Sequence, residues 1–192
     1  MMTHIRPALA MLVAMILLTG LAYPLAMTGL ARAVAPGLSQ GSLVERDGRI
    51  VGSALVGQQF AGPGYLHPRP SAVDYATMPS GASNLGPTSA QLKEQVAGRR
   101  TAYEAQNGAS APADAVTASA SGLDPDISPE NALAQAARIA GARGIDAAIV
   151  QQIIRQHVTR PLWGLYGQSR VNVLRTNLAL DLAAPMPPAG AD

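Results

Sequence analysis

PALAMLVAMILLTGLAYPLAMTGLA, residues 7–31, holds no charge and is bracketed by Arg6 and Arg32. At ~1.5 Å per helical residue this run reaches roughly 37 Å, against about 30 Å of bilayer hydrocarbon. It is long enough to cross a membrane with some tilt. Ala33-Val34-Ala35 also fits a signal-peptidase site, but the apolar core of a signal peptide is only ~7–15 residues. A buried core helix would run to about 10–14 apolar residues. The reading is therefore a transmembrane helix at 8–31, a soluble domain at 36–182 and a disordered tail at 183–192. The fold class expected is α+β: one N-terminal span followed by one extracytoplasmic α/β-type domain.

Within the span, Thr19, Ala22, Ala26 and Gly29 recur at helical spacing. Such a stripe of small residues lets a second membrane helix approach closely, although small residues are also simply common in membrane helices. Pro24 removes a backbone donor, so the carbonyl of Gly20 loses its partner and a kink is expected. Arg6 lies on one side of the span and Arg32, Arg46 and Arg49 on the other. Charge does not decide the orientation, because large domains translocate largely regardless of it.

The 192 residues carry 14 basic and 12 acidic side chains, well interspersed, for a net charge of +2. A basic face for nucleic acid has no support. The absence of cysteine excludes disulfides and thiolate chemistry. Aromatics are 4% of the chain, so the core is built from Ala, Leu, Ile and Val.

After the span, Asp47-Gly48 between the runs 42–46 and 49–56 is a type I′ hairpin signal. Residues 57–88 are dense in Gly, Pro, Ser and Asn yet hold Phe60, Tyr65, Leu66 and Tyr75. A loop of that length in a compact domain is uncommon and usually functional or disordered, and the aromatics argue for order. It is read as an ordered surface loop that contacts a partner through Tyr65, Arg69 and Tyr75. Arg69, held between two prolines, either presents its guanidinium outward or bonds back to loop carbonyls.

Thr88 and Gln91 have capping-box spacing at the start of a helix with a narrow apolar stripe of Leu92, Val96 and Tyr103. Residues 107–114 read as a linker and 115–121 as extended. Ser128-Pro129 opens a further helix that Gly144 closes. Asp146 caps another, with Ile149, Val150, Ile153, Ile154 and Val158 on its apolar face. Residues 170–175 read as a strand, which the alternation of Leu178, Leu180 and Leu182 extends.

No constellation requires catalysis. Gly81 and Gly86 have phosphate-loop spacing, but Pro87-Thr88 stands where Lys-Ser/Thr is needed, so nothing reaches the outer phosphates. Asp124 and Asp126 resemble the start of a Ca2+ loop without its glycine or terminal glutamate; they more simply complement the helix N-terminus at Pro129. The three histidines, His4, His67 and His157, lack the spacing of a helical metal pair. Ser119 and Ser121 sit in no nucleophile elbow. Catalytic, cofactor and metal residues are accordingly expected to be none.

One resemblance covers nearly the whole chain. Tyr23-Pro24-Leu25 in the span, GSALVGQQF at 52–60, GYLHPRPSA at 64–72, SGASNLGPTS at 80–89, VTASASGLDPDISPE at 116–130, RIAGARG at 138–144 and VNVLRTNLALD at 171–181 occur in order. This arrangement resembles the C-subunit family of the bacterial Kdp potassium-transporting ATPases. Small departures are Leu66 where Phe is usual, Ala82 where Gly is usual, and Thr176 where an aliphatic residue is usual.

The resemblance implies an accessory subunit, without a catalytic site of its own, of an ATP-driven high-affinity potassium uptake complex. Its partners would be a channel-like potassium-selective subunit, an ATP-hydrolysing P-type subunit and a very small single-span subunit. ATP and K+ would be handled by those partners. The family is described as a catalytic chaperone that raises ATP affinity. Its place would be the bacterial inner membrane, single-pass, with the C-terminal domain outside. Two alternatives stand beside it: an anchored or secreted periplasmic hydrolase using His67 or His157, and a subunit that contacts ATP directly.

Overall fold

The computed structural model describes residues 4–186. The chain divides into two compact units, one ending at Val51 and one beginning at Gly52.

The first unit is dominated by one helical run of 30 residues, Ile5–Val34. It consists of α1 (Ile5–Met15), a π-helical stretch (Ile16–Ala22) and α2 (Tyr23–Val34). The π stretch lies directly before Pro24. Proline crowds the carbonyl four residues back and offers it no donor. One wider turn lets the ring pass, and the Tyr23 N–H bonds the carbonyl of Leu18, five residues back. The irregularity expected at Pro24 therefore takes the form of a π-bulge. No residue of the run is buried, as suits a helix whose solvent is lipid or a neighbouring helix. A short turn, α3 (Pro36–Ser39), follows.

β1 (Leu43–Arg46) and β2 (Arg49–Ser53) then pair around Asp47 and Gly48, whose φ values are 52° and 74°. Both central residues are left-handed, as a type I′ turn requires. β2 stops at Ser53, short of Val56.

The second unit combines helices with a small sheet. In chain order it holds α4 (Ala90–Asn107), α5 (Ala113–Val116), β3 (Asp126–Ile127), α6 (Pro129–Ala134), α7 (Ala136–Arg143), α8 (Ala147–Gln156), β4 (Val158–Thr159), β5 (Arg170–Asn172) and α9 (Val173–Ala183). The strands form an antiparallel sheet in the order β3-β5-β4. Val171 on the central strand faces Ile127 on one side and Val158 on the other. It anchors a core of Leu66, Ile139, Val150, Ile154, Val173 and Leu180, with alanines 132, 136 and 140 filling the gaps. The mixed architecture agrees with the α+β expectation.

Several local expectations are corrected. Ser89, not Thr88, caps α4, accepting from the Leu92 N–H at 3.4 Å. The 115–121 stretch contains the turn of helix α5 instead of a strand. The helix opened by Ser128 breaks at Gln135 into α6 and α7 before Gly144 closes it at φ 66°. Ile149 is exposed, and Val158 has left the helix for β4.

The largest departure is α9. Residues 173–183 are helical because Asn172 caps them, accepting from the Arg175 N–H at 3.1 Å. The buried face is Val173, Leu174, Thr176, Asn177 and Leu180, at helical spacing. The Leu178–Leu182 alternation does not mark a strand, and Leu182 is exposed. Helix α9 ends at Ala183, inside the expected tail, whose residues 187–192 lie outside the described ones.

Loop 57–88 has no helix or strand, yet it enters the core: Leu66 is fully buried. Gly57 lies so close to residue 124 that a Cβ there would stand 2.5 Å from the Asp124 carbonyl oxygen. Leu66→Ala is expected to cost the second unit about 2–5 kcal/mol of stability, the range for large-to-small core changes, read by denaturant unfolding of the full chain in detergent.

Candidate functional site

A buried loop must find partners for its backbone, and here side chains supply them. From α9, Asn177 accepts from the Leu66 N–H at 2.7 Å and donates to the Leu66 carbonyl at 3.0 Å. From the α6/α7 break, Gln135 accepts from the His67 N–H at 2.8 Å and donates to the His67 carbonyl at 3.2 Å. Two amide side chains thus serve successive residues as a neighbouring strand would.

Arginines hold the flanks. Arg143, its side chain fully buried, donates to the Gly64 carbonyl at 2.8 Å, to Asp181 at 2.9 Å and to the Ala184 carbonyl. Its guanidinium lies 5.0 Å from the centre of the Tyr65 ring. Arg138 donates to Gln135 at 2.7 Å, to Asn107 at 2.9 Å and to the Pro63 carbonyl.

Further along, an open cleft of about 240 Å3 is lined by Arg69, Asp114, Asp124, Asp126, Ser128 and Arg170, among others. Its charges are matched. Arg69 pairs with Asp124 at 2.9 Å and Arg170 with Asp126 at 3.0 Å. Asp114 accepts from the Ser128 N–H at 2.7 Å, the Ser128 hydroxyl at 3.0 Å and the Asn131 amide at 3.2 Å. The carboxylate at the N-terminus of α6 is therefore Asp114, not Asp124 or Asp126. Each carboxylate is thus engaged by a cation or by several donors of the same unit.

The residues singled out from sequence fall as follows. Arg69 faces Asp124 and, at 3.5 Å, the carbonyl and hydroxyl of Thr117; its carbonyl accepts from the Tyr75 hydroxyl at 2.7 Å. The guanidinium is thus turned onto the domain's own residues, but onto an aspartate in preference to loop carbonyls. Tyr75 is half-buried, and burial, aided by Asp74, pushes its phenol up to about 12. Tyr65 donates to Asp181 at 3.4 Å and packs against Phe60, ring centres 5.8 Å apart. All three have partners within the unit.

In the span, the Thr19 hydroxyl donates to the Met15 carbonyl at 2.6 Å. Ala22, Ala26 and Gly29 remain exposed.

His67 bonds the Gly62 carbonyl through Nε2 at 3.0 Å, and His157 bonds the Ile153 carbonyl through Nδ1 at 2.8 Å. Ser119 and Ser121 lie 3.1 Å from each other and accept from nearby backbone N–H groups. Among the described residues no group of three or more His, Cys, Asp or Glu could hold a metal ion. Sequence reasoning missed Gln135, Asn177, Asp114 and Arg143, whose residue types are ordinary on helices.

Two outcomes follow. Burial, then the charge of Arg138, lowers the pKa of His67 below 6.5. As pH falls below 6.5 the unfolded chain takes up this proton before the folded one, so stability falls with pH until the folded pKa is reached. His67→Asn is expected to flatten that slope between pH 6.5 and 5 in unfolding of the full chain. Arg69→Ala is expected to lower the stability of the second unit by about 1–2 kcal/mol, since it strips a half-buried carboxylate of its charged donor. An unchanged unfolding midpoint would show that the pair contributes nothing.

The family model described as "KdpC: K+-transporting ATPase, c chain" matches residues 5–182. A protein of Cereibacter sphaeroides named "Potassium-transporting ATPase KdpC subunit" is 66% identical over 183 residues, which cover 95% of this chain and 99% of that one. Proteins of the same name from Gemmatimonas aurantiaca and Rhodopseudomonas palustris are 51% and 48% identical over 193 and 200 residues, at 97% and 96% of this chain and 97% and 100% of theirs. With a model match over nearly its full length and relatives this similar, the chain belongs to the family of KdpC subunits of the K+-transporting ATPase.

Proposed function

We propose that this chain is a non-catalytic, membrane-anchored accessory subunit that assembles with the other subunits of a potassium-transporting ATPase and raises the apparent ATP affinity of the hydrolysing subunit from a distance. The partners in this reading are a channel-like potassium-selective subunit, a P-type ATP-hydrolysing subunit and a very small single-span subunit. The span lies in the bacterial inner membrane and the C-terminal domain outside the cell.

The observation that carries the reading is the 30-residue apolar helix with none of its apolar window buried. Such a helix needs lipid and neighbouring helices as its solvent. The paired charges of the cleft support a scaffold role over an enzymatic one. For ATP, Gly81 and Gly86 precede Pro87, and the Gly86 carbonyl accepts the Ser89 N–H at 3.0 Å in an ordinary turn before α4. With the domain outside and ATP inside, the effect on nucleotide is a coupling free energy carried through subunit contacts, typically roughly 5–150-fold in affinity. The chain itself needs no cofactor, metal or nucleotide.

The test compares the purified ATPase complex with and without this chain. The KM for ATP is expected to rise several-fold when the chain is absent, while the full-length chain alone shows no ATP binding by calorimetry. A reporter fused after Asp192 is expected to be active only outside the cytoplasm. Micromolar ATP binding by the isolated chain would support direct contact instead. Ala22→Leu with Ala26→Leu is expected to lower the yield of intact complex without changing unfolding of the soluble unit, because bulky side chains hold a neighbouring helix away. An intact complex carrying both changes would make the stripe a lipid face.

A further inference from the structure

The loop RPLWGLYGQS, residues 160–169, joins β4 to β5 and carries the densest apolar surface of the second unit. Trp163 and Leu165 are each 81% exposed, Tyr166 67% and Leu162 61%. The other exposed large apolar side chains of that unit, Leu55, Met78, Ile149 and Leu182, stand apart in sequence.

The tip is nonetheless built. Leu162 and Tyr166 exchange backbone hydrogen bonds at 2.9 and 3.0 Å, and the Gly164 and Leu165 N–H groups close further turns onto Pro161 and Leu162. Trp163 and Tyr166 meet edge to face, centres 6.3 Å apart. Trp163 holds φ at 52°, a conformation that is a genuine outlier for a bulky residue. Strain of this kind persists only where the surroundings over-determine it, and it clusters at functional positions.

We propose that this tip is a docking knob that seats Trp163 and Leu165 in an apolar pocket on another protein subunit of the ATPase, an inference that rests on the assembly proposed above. Three observations select this occupant. With each aromatic able to bury ~150–250 Å2, the same taken as an upper bound for each leucine, and exposures of 61–81%, four such side chains offer roughly 400–700 Å2. That is short of the ~800 Å2 per partner of a stable free-standing interface, so two copies of this chain would not hold together through it. For a chain already fixed by its own membrane helix, the second contact is effectively intramolecular and a small area suffices. A lipid surface as occupant calls for clustered basic residues. Here Arg170 is engaged by Asp126, leaving Arg160 as the one basic residue of the loop. A pre-ordered Trp and Tyr pair suits a shaped protein pocket, where such anchors dominate binding.

The chain has no cysteine, so Leu165→Cys provides a single thiol. Its maleimide labelling is followed on the separated band of this chain, with the denatured sample marking complete reaction. The full-length variant alone, in nanodiscs of phosphatidylethanolamine and phosphatidylglycerol, is expected to label rapidly. In the purified ATPase complex labelling is expected to slow at least about tenfold. Equal labelling in both states overturns the proposal while the assembly reading stands. Protection already present in nanodiscs alone also overturns it, in favour of lipid or a second copy. If the variant folds but fails to join a complex that the wild type joins, the knob is supported, and Ser169→Cys beside the tip then reports protection in its place. If the wild-type chain joins no complex, the assembly reading itself fails.

Discussion

The second unit depends on one substitution of side chain for main chain: the Asn177 amide bonding both backbone groups of Leu66. Aromatics are scarce, and the core between α7, α8, α9 and the sheet is small and aliphatic. Leu66 completes it from a loop. Burying an irregular segment strands N–H and C=O groups, at about 1–3 kcal/mol for each left unpaired. Asn177, Gln135, Arg138 and Arg143 remove that cost in sequence, from residue 63 to residue 67. The break between α6 and α7 falls at Gln135, the residue whose amide serves His67. The loop read as a surface feature is therefore the piece that ties α7 to α9.

This arrangement has a consequence for function. The charges lining the cleft are used inward: Arg69 on Asp124, Arg170 on Asp126, Asp114 on the start of α6. Charges paired in this way tie the cleft together from within. What the unit leaves outward is the apolar hairpin tip at 160–169, on the strands whose partner β3 belongs to the same charge network. In the proposed assembly, where the apolar helix holds the chain beside other subunits, a small knob suffices as a second contact.

The parts legible in the sequence were those whose signal is local. The uncharged run at 7–31, Asp47-Gly48, Ser128-Pro129, Gly144 and Asp146 each encode their structure within a few residues. The misread parts were those where polar residues carry the buried period. In α9 the inward face includes Thr176 and Asn177, so a search for apolar periodicity saw only the alternating leucines. Loop 57–88 was recognised as ordered, but as a surface feature, because nothing local reveals that Asn177, 111 residues away from Leu66, satisfies its backbone. For Arg69 the sequence leaves an outward guanidinium and a bond back to loop carbonyls both open, for the same reason: its carboxylate, Asp124, lies 55 residues further on. The exposed tip at 161–166 went unnoticed because PLWGLYG has the composition of a buried segment, and only the fold shows it facing out.

Leu66 sits in the core, with half-buried Tyr65 and His67 on either side and the segment's backbone bonded by side chains from the helices. Amide hydrogen exchange on the full-length chain tests it residue by residue. Leu66 and His67 N–H groups, held by Asn177 and Gln135, are expected to exchange only with global unfolding of the second unit, as slowly as the amides of α8. Exchange at the rate of an open loop, while α8 stays protected, would contradict the account.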